Sequence, residues 1–308
     1  MSHSALSRIA SEIDQIPYQF TFQTHQNLAG RVTHDETTVH ADHTGGYADV
    51  FLGWLRGNDG TKTKVAIKVL RVINEPEPVM KIKTYLIRET AVWVKLNHPN
   101  ILKFLGLAPD HERFGVPALI SPYCNNGTVY QYLGSHPNIN TKLFIMKGVA
   151  SGLQYLHQTN IVHGDLKPSN ILIHDDGRPL LCDFGRSKIL TQQGFTTKPA
   201  GTARYQAPEL LEGKIMSPDK PADVYAFGVT CYEIWTGSKP FPHIQSDYGL
   251  IIHIIVHKGT PSYPEAPVPQ GTDFVWRPLE DCWKREAEKR STMDVVVEKL
   301  EKISFPVQ

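Results

Sequence analysis

The stretch His163-Gly164-Asp165-Leu166-Lys167-Pro168-Ser169-Asn170 crowds an aspartate, a lysine and an asparagine into one short loop. The apolar run Ile171-Leu172-Ile173 follows at once and reads as a strand. A short loop entering a strand can display Asp165, Lys167 and Asn170 on one side. A helix-to-strand turn with incidental polar residues is the plainer alternative, and the neighbouring sequence decides between them.

Upstream of the loop, Leu143, Met146, Val149, Ala150, Leu153 and Leu156 recur at helical spacing, so one face of that helix is expected to be buried. Downstream, Ile171–Ile173 and Pro179–Cys182 flank Asp175-Asp176-Gly177, a strong hairpin turn. Asp183-Phe184-Gly185 comes next. The longest apolar stretch, Val224 to Trp235, is too short and too interrupted to span a bilayer and predicts a buried helix. On the N-terminal side, Leu28 to Val72 is rich in β-branched and turn residues, with Gly57-Asn58-Asp59-Gly60 as a hairpin turn. A helix from about Val79 to Leu96 follows, opened by the prolines at 76 and 78. Residues 1–27 form a polar extension whose spacing of Leu6, Ile9, Ile13 and Ile16 suggests one amphipathic helix. A small β-rich part before a larger helical part implies an α+β fold in two lobes with a ligand cleft between them.

With 308 residues, 41% of them hydrophobic, the chain can bury a sizeable core as one large domain or two small ones. A formal net charge of +1 without long runs of one sign argues against nucleic acid or a lipid surface as the main partner. Cys124, Cys182, Cys231 and Cys282 are far apart and form no CxxC pair, which suits free thiols in a reducing compartment. The N-terminus has no apolar core of secretory type. A soluble cytoplasmic protein with no membrane span is therefore expected. His253 and His257 have a spacing that could bind zinc, but no glutamate lies between them and no third ligand is evident, so a helix face is the better reading.

Seven short signals, in order along the chain, together resemble the eukaryotic protein kinase domain over roughly residues 28 to 303. The resemblance implies a bilobal kinase fold with an N-lobe of about 28–122 and a C-lobe of about 125–303. It also implies ATP and Mg2+ as cofactors and a protein as substrate. Val65-Ala66-Ile67-Lys68 ends a strand where the family places the lysine that meets the α- and β-phosphates of ATP. Glu89, nine residues before His98-Pro99-Asn100-Ile101-Leu102, stands where the family has the partner of that lysine. His43-Thr44-Gly45-Gly46-Tyr47-Ala48-Asp49-Val50 occupies the place of the glycine-rich phosphate loop, but His43 and Ala48 replace two family glycines and only Gly45 matches. Ala118 to Gly127 reads as the connection between lobes, with Ser121 at the gatekeeper position and Tyr123 and Cys124 offering backbone groups to adenine. Val50, Ala66 and Leu172 complete the nucleotide contacts that the resemblance implies.

In the same likeness, Asp165 would accept or orient the proton of the attacking hydroxyl, and Lys167 would neutralise charge on the transferring phosphoryl group. Asn170 and Asp183 would hold magnesium. Gly201-Thr202-Ala203-Arg204-Tyr205-Gln206-Ala207-Pro208-Glu209 resembles the end of the segment where a peptide substrate docks, with Thr202 near Asp165 and Lys167 and with Glu209 paired to Arg290. Asp223 would accept backbone hydrogen bonds from the catalytic loop. The family often has arginine at the position of Gly164, where it helps to hold a phosphorylated activation loop. Phosphorylation of Thr191, Thr196 or Thr197 is therefore expected to have little effect.

Small-molecule phosphotransferases also use His-Gly-Asp with a downstream asparagine, but they lack the Thr202 to Glu209 element, which favours a protein substrate. Lys167 is the serine/threonine form. The wording around Tyr123–Gly127 and Glu89 is similar to the tyrosine-kinase-like group, and GGYADVFLGWL and HGDLKPSNILI are similar to its fungal members. An active serine/threonine kinase is the leading expectation. The eroded glycine loop keeps a second one open, a pseudokinase scaffold that binds nucleotide or partners without phosphotransfer. Tyrosine activity also stays open.

Overall fold

The computed structural model describes residues 27–35, 43–44, 48–70, 86–87, 89–109, 117–190, 203–261 and 273–304. Gly45, Thr191, Thr196, Thr197, Thr202, nearly all of the N-terminal extension and most of the helix expected from Val79 lie outside them. Two compact units emerge, one of residues 1–97 and 102–124, the other of 98–101 and 125–308.

In the first unit, strands β1 (Val32–His34), β2 (His43–Thr44), β3 (Ala48–Arg56), β4 (Lys62–Leu70), β5 (Gly106–Ala108) and β6 (Ala118–Pro122) form one antiparallel sheet. Its order is β1-β3-β4-β6-β5, with β2 also on β3. The expected turn at residues 57–60 joins β3 to β4, closed by the Gly57 N–H donating to Thr61 O at 2.8 Å. Period-2 alternation sets the faces of β4: Val65, Ile67 and Val69 are buried, while Lys64, Ala66 and Lys68 are half-buried on the other side. Residues 86–87 and 89–93 are helical.

The second unit is mainly helical. Its helices are α1 (Val129–Ser135), α2 (Ile139–Gln158), α3 (Pro208–Leu211), α4 (Lys220–Thr236), α5 (Asp247–Ile255), α6 (Asp273–Glu280) and α7 (Met293–Glu301). The six apolar positions read from the sequence of α2 are all buried, as 3.6-residue periodicity requires. Helix α4 is buried all round from Ala222 to Trp235, because its sequence offers no polar stripe to solvent. Asp219 caps it, accepting from Ala222 N at 2.9 Å. Two-residue strands β7 (Ile161–Val162) and β10 (Lys188–Ile189) pair, and β8 (Ile171–Ile173) pairs with β9 (Pro179–Leu181) through the expected turn at 175–177. Helix α5 stops at Ile255, so His257 lies beyond the helix that carries His253. All four cysteines are free thiols. Among the described residues, no helix is long and apolar enough to cross a membrane.

Candidate active site

In the first unit the sheet register decides which side chains meet. Val50 pairs with Lys68, and Ala66 pairs with both Leu52 and Ser121. Directly paired residues share a face, so Val50, Ala66, Lys68 and Ser121 lie on the same side of the sheet. Lys68 Nζ lies 2.7 Å from Glu89 Oε1, and the glutamate side chain is only 2% exposed. A buried carboxylate of this kind needs a cation, and this ion pair fixes the long lysine in one direction. The helical turn that carries Glu89 is anchored by Trp93 Nε1, which donates to Leu102 O at 2.5 Å. Cys124 is buried and Tyr123 half-buried, with Lys64 Nζ 5.5 Å from the Tyr123 ring centroid.

In the second unit one carboxylate organises the 163–170 loop. Asp223, 2% exposed at the start of α4, accepts from His163 N at 2.7 Å, from Gly164 N at 2.8 Å and contacts His157 Nε2 at 3.0 Å. The expected role of Asp223 as scaffold for this loop is what the structure shows. The loop then presents Asp165, whose Oδ2 accepts from Lys167 Nζ at 2.8 Å and from Asn170 Nδ2 at 3.3 Å. Asn170 also donates Nδ2 to the Asp165 carbonyl at 2.7 Å. That commitment leaves the Asn170 amide oxygen as a hard donor, of the type that magnesium takes. Asp183 sits at the head of a 3-10 turn, Phe184–Arg186, in a left-handed conformation with φ 65°. A non-glycine residue held there is a sign of a constrained site. Phe184 is fully buried against the His163 ring, at a centroid distance of 5.5 Å, and anchors that conformation. An amide oxygen and a carboxylate, on Asn170 and Asp183, fit a magnesium site by their chemistry. Leu172 is half-buried in β8, opposite Leu180.

Gly164 has φ +78°, and a Cβ there would come within 2.8 Å of the Arg186 carbonyl oxygen. Arginine in this position would have to move the backbone that follows Asp183-Phe184-Gly185. The guanidinium in this region belongs instead to Arg186, whose Nε is 3.9 Å from Asp165 Oδ2.

The segment from Ala203 to Glu209 is tied down at three points. Arg204, 9% exposed, donates to the carbonyls of Pro240, Phe241 at 3.1 Å and Ile244 at 2.9 Å. Tyr205 donates its hydroxyl to Glu233 Oε2 at 2.6 Å, and Tyr130 donates to the other oxygen of the same buried carboxylate. Burial first, and the Glu233 carboxylate second, push both phenols above their ordinary value. Glu209 pairs with Arg290 as the sequence suggested. A cavity of about 20 Å3, room for one water, is lined by Gly164, Asp165, Tyr205, Gln206 and Asp223 among others.

The sequence reading missed Arg186, Arg204 and the Tyr130–Glu233–Tyr205 cluster. No local spacing marks them, since each acts on a residue distant along the chain.

Residues 44–300 match the family described as the protein kinase domain. The chain is 28% identical over 264 residues to Serine/threonine-protein kinase STY17 of Arabidopsis thaliana, covering 84% of this chain and 43% of that protein. It is 28% identical over 243 residues to Serine/threonine/tyrosine-protein kinase HT1 of Arabidopsis thaliana, covering 77% and 60%. It is also 29% identical over 276 residues to Tyrosine-protein kinase Mer of Mus musculus, covering 84% and 26%. The chain thus spans less than two thirds of the length of each of these relatives.

Proposed function

This chain belongs to the protein kinase domain family, and on that premise we propose that it moves the γ-phosphate of ATP to serine and threonine hydroxyls of protein substrates. The bonding of Asp165 carries this reading. Its Oδ2 is held by Lys167 and Asn170, while among the described residues nothing bonds Oδ1. A carboxylate anchored through one oxygen keeps the other ready for a proton. Asp165 takes the proton of the incoming hydroxyl as that oxygen bonds to the γ-phosphorus. The bond from phosphorus to the bridging oxygen breaks, and ADP leaves. Lys167 offsets charge on the moving phosphoryl group, and Lys68, steadied by Glu89, holds the α- and β-phosphates. Asn170 and Asp183 would hold Mg2+, which supplies charge neutralisation at the phosphate oxygens when bound. Val50, Ala66 and Ser121 of the first unit and Leu172 of the second would each contact the nucleotide, with Gly45 at its phosphates and the backbone of Tyr123 and Cys124 at its adenine.

Lys167 favours serine and threonine, in keeping with the printed name of STY17. The motif wording supports a place in the tyrosine-kinase-like group, with fungal members as the expected neighbours, and the four widely spaced free thiols support a cytoplasmic site of action. The test is incorporation of labelled phosphate from Mg-ATP into a protein or peptide library, followed by phosphoamino-acid analysis. The chain should label serine and threonine, and Asp165→Asn should cut transfer by about 10²–10⁴ with an unchanged thermal midpoint. No transfer by the unaltered chain would instead identify a scaffold, the reading that His43 and Ala48 in the phosphate loop support.

A further inference from the structure

The next step rests on the phosphotransfer reading above and deepens it. We propose that Arg186 is a positioning residue for Asp165, supplying from the segment after Asp183-Phe184-Gly185 the cation that holds the carboxylate through Oδ2.

Three groups converge on that one oxygen: Lys167 Nζ at 2.8 Å, Asn170 Nδ2 at 3.3 Å and Arg186 Nε at 3.9 Å. The Arg186 and Asp165 side chains are 15% and 12% exposed, so solvent screens their attraction weakly. The arginine is not on a loose loop. Ser187, fully buried, donates its N–H to Phe184 O and its hydroxyl to His163 O, both at 3.0 Å, and Lys188 pairs with Val162 between β10 and β7. The Arg186 backbone is therefore stitched to the loop that carries Asp165. Gly164 makes the stitching possible, because any Cβ there would meet the Arg186 carbonyl at 2.8 Å. Glycine at 164 and arginine at 186 form a matched pair.

The arrangement answers a conflict within the site. Lys167 must share its one positive charge between the Asp165 carboxylate and the moving phosphoryl group. Arg186 adds a second positive charge beside Oδ2, so Oδ1 stays aimed at the hydroxyl as phosphoryl charge draws on Lys167. The guanidinium acts through Asp165 and does not itself touch the reacting atoms.

Steady-state kinetics of Arg186→Gln and Arg186→Lys, with thermal midpoints alongside, test the role. Arg186→Gln should lower kcat by roughly 10- to 100-fold and leave KM for ATP and for peptide within about twofold. Arg186→Lys should restore kcat to within about fivefold of the unaltered chain. A merely structural arginine would not give this split or this rescue. The role is overturned if Arg186→Gln keeps its kcat within about twofold, if the loss falls on KM, or if lysine rescues nothing. Should Arg186→Gln fail to fold, Arg186→Lys alone decides: kcat within about fivefold supports the role, and a loss beyond about tenfold overturns it. An inactive unaltered chain would sink the kinase reading and this role together, whereas an active chain indifferent to Arg186→Gln sinks only the role.

Discussion

Arg290 donates Nη1 and Nη2 to the two carboxylate oxygens of Glu209 at 2.6 and 2.7 Å, joining residues 81 apart. The arginine side chain is 1% exposed and the glutamate 12%. The same guanidinium donates to Pro221 O at 3.0 Å, Lys284 O at 2.7 Å and Arg285 O at 3.2 Å, and lies 5.2 Å from the Tyr225 ring centroid. One side chain thereby joins the first turns of α3 and α4 to the loop before α7.

Removing one member of such a pair leaves the other buried and uncompensated. Arg290→Ala should cost about 3–5 kcal/mol of stability. Arg290→Lys should recover only part of it, because an ammonium cannot reproduce the two-pronged geometry. Urea unfolding of both variants checks this. Lysine performing as well as arginine would show that charge alone matters.

Placing arginine at 164, where the family often has it, should damage this chain. The residue would sit at φ +78° with its Cβ 2.8 Å from the Arg186 carbonyl. Strain of this kind costs about 1–3 kcal/mol. Gly164→Arg and Gly164→Ala should both lower the thermal midpoint and the phosphotransfer rate. Unchanged stability and rate in Gly164→Ala would show that the backbone yields easily.

Asp294, in the first turn of α7, accepts from Gln154 and Gln158 of α2 at 2.8 and 2.9 Å. The bond from Gln154, then that from Gln158, holds its carboxyl below the usual 3.8. A lowered folded-state value means that the unfolded chain binds protons more readily. The stabilisation is therefore complete above pH 3.8 and fades as pH falls below it through the folded-state value. Asp294→Asn keeps an acceptor but cannot titrate. Its stability should lie slightly below that of the unaltered chain at neutral pH and converge with it in acid, measured by urea unfolding across pH. A gap that stays constant down to acid pH would remove Asp294 as a contributor.

Much of this protein was legible in its sequence. The α2 periodicity from Leu143 to Leu156, the turns at 57–60 and 175–177 and the all-apolar centre of α4 are local patterns, and local patterns encode local structure. The pairings of Lys68 with Glu89 and of Glu209 with Arg290 were also readable, through the likeness to a family in which those positions pair. Tertiary structure alone decided the rest. That Lys167, Asn170 and Arg186 all meet Asp165 at Oδ2, and that Tyr130 and Tyr205 share Glu233, depend on which atoms meet after distant segments pack. Burial drives that packing without regard to distance along the chain, so no spacing in the sequence records it.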